Sequence, residues 1–199
     1  MYDLIKTPFK FMSQSCAKKI PEELELRFEK FTKAQIDKET FMKYYGASKW
    51  GFIIHGDYRA SNIMFKRQGG KVKQLVPVDY QAIRMGSPSV DLLYFIYCGT
   101  DSHFRKLHLT QLLDHYYDTL ERFLNKIDIN PLELFTREDF YEDFKVTRNF
   151  GLYTAILQLP AILAEGGDVN MAGMGIQNND AFDERFLAIL NEYIDLGAL

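Results

Sequence analysis

Cysteine is scarce in this sequence, and long apolar runs are missing. Cys16 and Cys98 are the only cysteines among 199 residues, which is too few for a disulfide framework. The first residues do not contain the apolar segment of a secretory signal, and even the apolar residues 150–163 are interrupted by Gln158 and Pro160. A helix that crosses a bilayer needs about 20 mostly apolar residues. We therefore expect a cytoplasmic protein with reduced thiols and no membrane span.

An excess of positive charge is missing too. The formal net charge is -3 and the isoelectric point is near 5.8, so the chain lacks the basic excess with which proteins bind nucleic acids or anionic membranes. We expect no nucleic-acid partner. With 47% apolar and 15% aromatic residues, the chain can bury one sizeable core, and its length predicts a single domain over residues 1–199.

Three polar side chains with the chemistry of a phosphotransferase lie between short apolar segments. Residues 55–62 have the sequence His-Gly-Asp-Tyr-Arg-Ala-Ser-Asn, and Asp79 comes directly after the apolar residues 75–78. Phosphoryl transfer needs a carboxylate that accepts a proton from the attacking hydroxyl, and oxygen ligands that hold Mg²⁺ against the donor phosphates. Because Mg²⁺ keeps several waters, one amide and one carboxylate suffice. In this hypothesis Asp57 is the catalytic base, and Asn62 and Asp79 bind Mg²⁺ and, through it, the nucleotide.

Strands are predicted on both sides of these polar residues. Residues 51–54 are typical of a short buried strand, and residues 63–66 and 74–78 flank a Gln-Gly-Gly hairpin signal. Each polar group also has a purely structural interpretation. The His-Gly-Asp tripeptide can form a turn, while Asn62 can cap the next element of the chain and Asp79 can close a hairpin. The order and spacing of all three favour the catalytic interpretation.

The motifs resemble those of a known group of kinases. Residues 55–62 resemble the HxDxxxxN loop of the aminoglycoside and choline phosphotransferases, relatives of protein kinases, and residues 78–81, Val-Asp-Tyr-Gln, resemble their counterpart of the Asp-Phe-Gly metal loop. Residues 84–95, Arg-Met-Gly-Ser-Pro-Ser-Val-Asp-Leu-Leu-Tyr-Phe, are similar to a segment of the ecdysteroid-kinase-like, or CHK kinase-like, branch. The similarity extends from about residue 52 to the C-terminus.

Two positions depart from the pattern of this branch. Tyr58-Arg59 stands where an apolar residue and Trp are more common, and Tyr80 stands where Phe is usual. Both positions lie beside the expected catalytic groups. The departures therefore bear on the choice of substrate more than on phosphoryl chemistry.

The resemblance implies an α+β fold, namely a protein-kinase-like C-terminal lobe that is mostly helical, with a short β-hairpin carrying the catalytic and metal loops. Residues 1–50 are expected to form a helical lead-in, residues 51–85 the catalytic loop and metal-loop hairpin, and residues 86–199 a helical subdomain. The resemblance also implies Mg²⁺ as cofactor and ATP as phosphate donor.

Asp91 stands at the start of a helix that is predicted to be buried. Ser87 can cap this helix, Pro88 fits its first turn, and residues 90–97 are apolar nearly all round. A buried carboxylate costs several kcal/mol unless it accepts hydrogen bonds. The resemblance implies that Asp91 bonds the backbone of the catalytic loop and that His55 supports the same loop. The alternative is that Asp91 only favours the positive end of the helix dipole.

Further helices are predicted from apolar spacing and capping signals. They are marked by Leu24, Phe28 and Phe31 within residues 21–35, by Leu109, Leu112, Leu113, Tyr116, Tyr117, Leu120, Phe123 and Leu124, by Thr136 with Asp139, and by Phe182, Phe186, Leu190 and Tyr193 before Gly197.

The parts of a kinase that grip the nucleotide from the other side are not recognisable in the sequence. Before Asp57 the chain has Gly46, Gly51 and Gly56 in no GxGxxG pattern, and about fifty residues are too few for a five-stranded lobe. The glycine-rich residues 166–175 come after the catalytic loop and resemble a mobile linker. We expect a C-terminal lobe without its N-terminal nucleotide lobe, inactive by itself, whose exposed apolar interface a partner covers.

The sequence therefore predicts an ATP-dependent phosphotransferase that acts on a small hydroxylated molecule. The family resemblance suggests a steroid or another lipophilic alcohol. The alternative is a non-catalytic remnant, or a binding or regulatory pseudokinase module.

Overall fold

The computed structural model describes residues 2–46, 50–164, 169–170, 175–176 and 179–199. Most of these residues are helical, in α1 (Tyr2–Ala17), α2 (Glu22–Gln35), α3 (Lys38–Tyr45), α4 (Pro88–Gly99), α5 (Ser102–Lys126), α6 (Pro131–Leu134), α7 (Arg137–Thr147), α8 (Asn149–Ile162) and α9 (Asp180–Asp195). The strands are short, namely β1 (Phe52–Ile54), β2 (Ile63–Gln68), β3 (Lys71–Pro77), β4 (Arg84–Gly86), β5 (Val169–Asn170) and β6 (Gly175–Ile176). The predicted α+β class is confirmed, while its assignment to a kinase C-terminal lobe stays a prediction.

Two antiparallel strand pairs are nested along the chain. β1 pairs with β4, with Ile54 opposite Arg84, and β2 pairs with β3, with Ile63 opposite Pro77. Both connections, residues 55–62 and residues 78–83, therefore lie between the two pairs. The predicted hairpin, β2–β3, carries the inner ends of both loops, and the β1–β4 pair carries their outer ends. The strand β4 was not predicted, since three residues are too few to show an alternating pattern.

The β2–β3 hairpin is confirmed in its predicted place. Gly69 and Gly70 form the two-residue turn with φ values of 58° and 75°, and Gln68 pairs with Lys71 across it. A tight hairpin turn favours two positive φ values, which glycine adopts without strain.

The strand β1 is less buried than the sequence predicted. Ile54 is 3% exposed, whereas Ile53 is 71% exposed. Successive side chains of a strand point to opposite faces, and one face of this small sheet is not covered within the described residues of its unit. Several apolar side chains around the nested strands are similarly exposed, namely Met64, Phe65, Val72, Leu75, Val76, Tyr80, Ile83 and Met85.

The nested strands belong to a compact unit that spans Gly46–Arg148. Its core contains Leu113, Tyr117, Phe135 and Phe140, all 4% exposed or less. The hydroxyl of Tyr117 donates to the carbonyl oxygen of Phe135 at 2.8 Å. The amphipathic helix predicted around residues 109–124 is confirmed as α5, although Phe123 on the predicted stripe is 60% exposed.

Capping side chains fix where the helices of this unit begin. The Ser87 hydroxyl accepts from the backbone N–H of Ser89 at the start of α4, and Pro88 is in its first turn. Thr136 and Asp139 form the predicted capping box of α7. Helix α4 also contacts α7, where the hydroxyls of Ser87 and Ser89 both donate to Asp143 Oδ2, at 2.5 Å and 2.6 Å. These contacts fix the helix that carries Asp91.

A second compact unit consists of Met1–Tyr45 and Asn149–Leu199. In it α8 packs against α1 and α9. The aromatic side chains that predicted α2 and α9 meet in its core, where the rings of Phe28 and Phe186 lie 6.0 Å apart. The expectation of a single domain stays a prediction.

The glycine-rich stretch of residues 166–175 lies mostly outside the described residues. Within it the structure describes the two-residue strands β5 and β6, which pair with each other. The predicted linker at Gly166, Gly167, Gly173 and Met174 falls on residues that are not described. Across the described ranges, no helix combines the length and the hydrophobicity that a bilayer span requires.

Candidate active site

Asp57 and Asn62 are brought together by the loop between β1 and β2. The Asn62 amide nitrogen donates to the Asp57 carbonyl oxygen at 2.9 Å and to Asp57 Oδ2 at 3.0 Å. Asn62 is 5% exposed, whereas 22% of the Asp57 side chain reaches solvent. Since the amide nitrogen is committed to Asp57, Oδ1 is the atom through which Asn62 can ligate a cation.

His55 connects this loop to the segment that precedes Asp79. Its Nε2 lies 2.9 Å from the carbonyl oxygen of Val78, and its Nδ1 lies 3.4 Å from the backbone nitrogen of Asp57. A carbonyl oxygen only accepts and a backbone N–H only donates, so this arrangement fits the tautomer that carries its proton on Nε2. The imidazole thus links the two loops.

Asp79 lies at the end of β3, close to Asn62 along the paired strands. The backbone N–H of Val78 donates to the carbonyl oxygen of Asn62 at 2.8 Å, which brings the residue before Asp79 next to Asn62. Asp79 has left-handed backbone dihedrals, φ 68° and ψ 60°, and its side chain is exposed. A left-handed residue other than glycine is uncommon, and such residues cluster at functional sites. The structure therefore places Asp79 near the start of the second loop, residues 78–83, with its side chain exposed to solvent.

Asp91 bonds the backbone of the loop between β1 and β2 directly. Its Oδ2 accepts from the backbone N–H of His55 at 2.6 Å, and its Oδ1 accepts from the backbone N–H of Gly56 at 2.9 Å. Both oxygens are thus engaged with the two residues that precede Asp57. This arrangement is the one that the resemblance implied, and it goes beyond a favourable interaction with the helix dipole. Burial raises the pKa of Asp91, while the hydrogen bonds from Gly56 and His55 oppose that rise.

We expect Asp91→Ala to destabilise the chain by about 2–4 kcal/mol, because it leaves two loop N–H groups without an acceptor. The free energy of unfolding from urea titration measures the loss. Asp101→Ala is a matched control, since Asp101 caps α5 from an exposed position and its loss should cost only about 1 kcal/mol. Equal losses in the two variants would contradict the prediction.

The pH dependence of the same difference gives a second measurement. A folded-state pKa above the ordinary 3.8 means that the folded chain binds the proton more tightly than the unfolded chain. The contribution of Asp91 is then greatest below pH 3.8 and is lost as the pH rises through its folded pKa. We expect the stability difference between wild type and Asp91→Ala to shrink as the pH rises through this range, and an increase would show the opposite pKa shift.

Tyr94 is a site residue that sequence reasoning missed. It lies on α4, one turn after Asp91, and is 4% exposed. Burial and then the negative charge of Asp57 raise the pKa of its hydroxyl, which places it beside the Asp57 carboxylate. A hydrogen bond to Asp57 raises this pKa as well. A tyrosine in an apolar helix looks like core in the sequence, so no sequence signal distinguished it.

Aromatic rings surround His55, and a cavity of about 340 Å³ adjoins them. The ring of Tyr80 lies 4.9 Å from His55 and that of Tyr58 lies 5.5 Å from it. Asp91 and Tyr116 line the cavity with these three residues, but Asp57 does not. A larger groove of about 750 Å³ lies between α1 and α2 in the other unit and contains none of the predicted site residues. We therefore define the candidate site by its converging polar groups and not by cavity size.

The comparisons with known proteins agree with the geometry. The family model described as the ecdysteroid kinase-like family matches residues 1–129. The chain belongs to this family. A Caenorhabditis elegans protein described as an uncharacterized kinase-like protein is 27% identical over 107 residues, which are 54% of this chain and 26% of that protein. The chain thus matches about a quarter of the length of this relative. No solved structure matches the chain significantly.

The departures of this chain from the ecdysteroid kinase-like pattern fall on the surroundings of His55 and Asp57. Tyr58 contacts the rings of His55 and Phe95, and Tyr80 contacts His55 while remaining 51% exposed. Arg59 lies against the carboxylate of Asp57, with its Nε 3.5 Å from Oδ2. The motif residues typical of the family and the residues that depart from its pattern therefore lie together around His55 and Asp57.

We expect the ecdysteroid kinase-like chain to bind Mg²⁺ weakly in the absence of nucleotide. Asn62 and Asp79 offer two oxygen ligands, and within the described residues no group of three or more His, Cys, Asp or Glu side chains is placed to hold a metal. Calorimetry with Mg²⁺ alone should show little heat, with a dissociation constant weaker than about 1 mM. A tight Mg²⁺ or Zn²⁺ site that maps away from Asn62 and Asp79 would be inconsistent with the assignment.

Proposed function

We propose that the chain contributes the catalytic and metal loops of a phosphotransferase that transfers phosphate from ATP to a hydroxyl group of a small molecule. One observation carries the proposal. The Asp57 carboxylate is held by the Asn62 amide at 3.0 Å, and the hydrogen bond from Val78 to Asn62 brings the Asp79 segment alongside. Family membership supports a small-molecule kinase-like protein in general.

In this proposal Asp57 is the general base. The acceptor hydroxyl gives its proton to the Asp57 carboxylate, its oxygen forms a bond to the terminal phosphorus of ATP, and the bond from that phosphorus to the bridging oxygen breaks so that ADP leaves. Asn62 orients Asp57 through its amide nitrogen. Asp91 and His55 hold the backbone around Asp57 through their hydrogen bonds.

Asn62 and Asp79 fit the requirements of a Mg²⁺ site. Asn62 has its Oδ1 available because its nitrogen is engaged with Asp57, and Asp79 offers an exposed carboxylate at the end of β3. Hard oxygen ligands of this kind suit Mg²⁺, which fills its remaining positions with waters and phosphate oxygens. The metal ion would neutralise charge on the donor phosphates.

The acceptor is proposed from the family alone. A steroid or another lipophilic alcohol is consistent with the family description. The cavity beside His55 has mostly apolar walls and a volume within the range of small-molecule sites, but it does not reach Asp57. We therefore assign the acceptor hydroxyl to the solvent-exposed side of Asp57.

We propose that another part of the active protein, or a partner, covers the apolar side chains that are exposed around the nested strands. Ile53, Met64 and Phe65 are 71%, 64% and 46% exposed, and large exposed apolar surfaces mark interaction sites. A nucleotide lobe or a partner that covers this surface would also complete the phosphate site.

We propose a cytoplasmic location for the protein.

The proposal is tested by ATP-dependent phosphorylation of a panel of steroid and small alcohols. The assay is run on residues 1–199 and on the same residues joined to the nucleotide lobe of another family member. We expect Mg²⁺-dependent product from the joined protein. Nucleotide binding without transfer to any acceptor would instead favour the alternative of a binding or regulatory module.

A further inference from the structure

Arg59 is a cation at the reacting edge of Asp57 with donors left to bind something else. Its Nε lies 3.5 Å from Asp57 Oδ2, and 38% of its side chain reaches solvent. Within the described residues, the buried Nε has no hydrogen-bond partner. The guanidinium carries five N–H donors in a rigid fork and stays charged at all physiological pH values.

The contact with Asp57 does not account for this arrangement. A charge-assisted hydrogen bond from Arg to a carboxylate measures about 2.7–2.9 Å, and the Arg59 contact is longer than that. A partly exposed ion pair of this length contributes little to stability. By comparison, Arg137 in the same unit engages Asp114 at 3.0 Å and Asp118 at 2.5 Å. Arg59 is therefore held near Asp57 without being satisfied by it.

The Asp57 carboxylate has other donors besides Arg59. The Tyr94 hydroxyl is buried, and both the charge of Asp57 and a hydrogen bond to it raise the pKa of that hydroxyl. Asp57 Oδ2 also accepts from the Asn62 amide. The Arg59 guanidinium therefore has donors left for an acceptor-rich, negatively charged group.

We propose that Arg59 binds a non-bridging oxygen of the phosphoryl group that is transferred. This inference rests on the proposed function. The acceptor oxygen must lie within about 3 Å of Asp57, and the phosphorus within about 3.5 Å of that oxygen. The transferred group is then within reach of a guanidinium whose Nε is 3.5 Å from Asp57. A cation at this position stabilises the charge of the transferring group.

The prediction is that Arg59 distinguishes ATP from ADP, because only ATP carries the transferred group. In calorimetric titrations of the chain joined to a nucleotide lobe, with excess Mg²⁺, Arg59→Gln should weaken ATP binding about tenfold or more and change ADP binding by less than about twofold. Arg59→Lys keeps the charge without the fork and should give an intermediate loss for ATP. The ¹⁵Nε–H resonance of Arg59 should shift on addition of Mg·ATP and stay unchanged with Mg·ADP.

Arg67→Gln is the matched control, since Arg67 is an exposed arginine on the hairpin strand β2 of the same unit. Circular dichroism establishes that each variant is folded. Equal losses for ATP and ADP in Arg59→Gln, or no loss in either, would overturn the role of Arg59 and leave the proposed function intact. If the wild-type joined protein bound neither nucleotide, the proposed function itself would fail, and the role of Arg59 with it.

Discussion

Asp57→Asn is expected to lower the rate of phosphoryl transfer by about 10²- to 10⁴-fold and to leave the affinity for Mg·ATP within about twofold. Asparagine keeps the shape of the side chain and an oxygen that can accept from the Asn62 amide, but it cannot take the proton of the attacking hydroxyl. The turnover number and the nucleotide dissociation constant, measured on the chain joined to a nucleotide lobe, separate these two effects. Near-normal turnover in Asp57→Asn would show that another group is the base.

Asp79→Asn should behave differently, because it removes a ligand of the metal ion. We expect weaker binding of Mg·ATP together with slower turnover, and partial recovery at high Mg²⁺ concentration. Asp128→Asn is the matched control, since Asp128 also has a left-handed backbone, with φ 56°, but follows α5 and belongs to neither loop. Similar losses in the two variants would mean that backbone conformation, and not metal binding, explains the effect at Asp79.

Gly56→Ala is expected to destabilise the chain by about 4 kcal/mol or more, which is among the largest effects of a single substitution. Gly56 has φ 81°, and a Cβ there would meet the carbonyl oxygen of Ala82 far inside a normal contact distance. Because Ala82 O belongs to the backbone of the opposite loop, the two loops would have to separate. The measurements are the free energy of unfolding and the loss of nucleotide binding.

The control for this prediction isolates steric overlap from backbone strain. Gly70 has a similar φ of 75°, but a Cβ there would have nothing within 4 Å. Gly70→Ala should therefore cost only the left-handed conformation of alanine, about 1–2 kcal/mol. If Gly56→Ala and Gly70→Ala lost the same stability, the close approach of the two loops at Gly56 would have no energetic role.

Local patterns predicted much of the fold because their causes are local. The two glycines of the hairpin, the Ser87-Pro88 start of α4 and the capping box at Thr136 act over three or four residues, and all three were confirmed. Helices α2, α5 and α9 were predicted from apolar spacing in the same way. The strand β4 was missed because its three residues acquire their conformation from pairing with β1, more than thirty positions earlier in the chain.

Only part of the candidate site could be predicted from the sequence, for the same reason. The motif residues Asp57, Asn62 and Asp79 were identified from the sequence, because their types and order are chemically specific. Their catalytic roles stay predictions, which the variants above test. Tyr94 and Asp143 could not be identified, because their part in the site comes from a position beside Asp57 and from a contact between α4 and α7. Neither relation leaves a trace in the neighbouring residues.

The sequence by itself determined the α+β class, the helices with strong amphipathic or capping signals, the hairpin and the family. Such features depend on hydrophobic spacing, turn chemistry and residue type, which are properties of short segments. The tertiary structure decided that Asp91 accepts from the backbone of His55 and Gly56, that Gly56 lies against Ala82, and that Arg59 and Tyr94 both lie at Asp57. These relations depend on distances between segments that are remote in the sequence or on the direction of a side chain, and only packing fixes either.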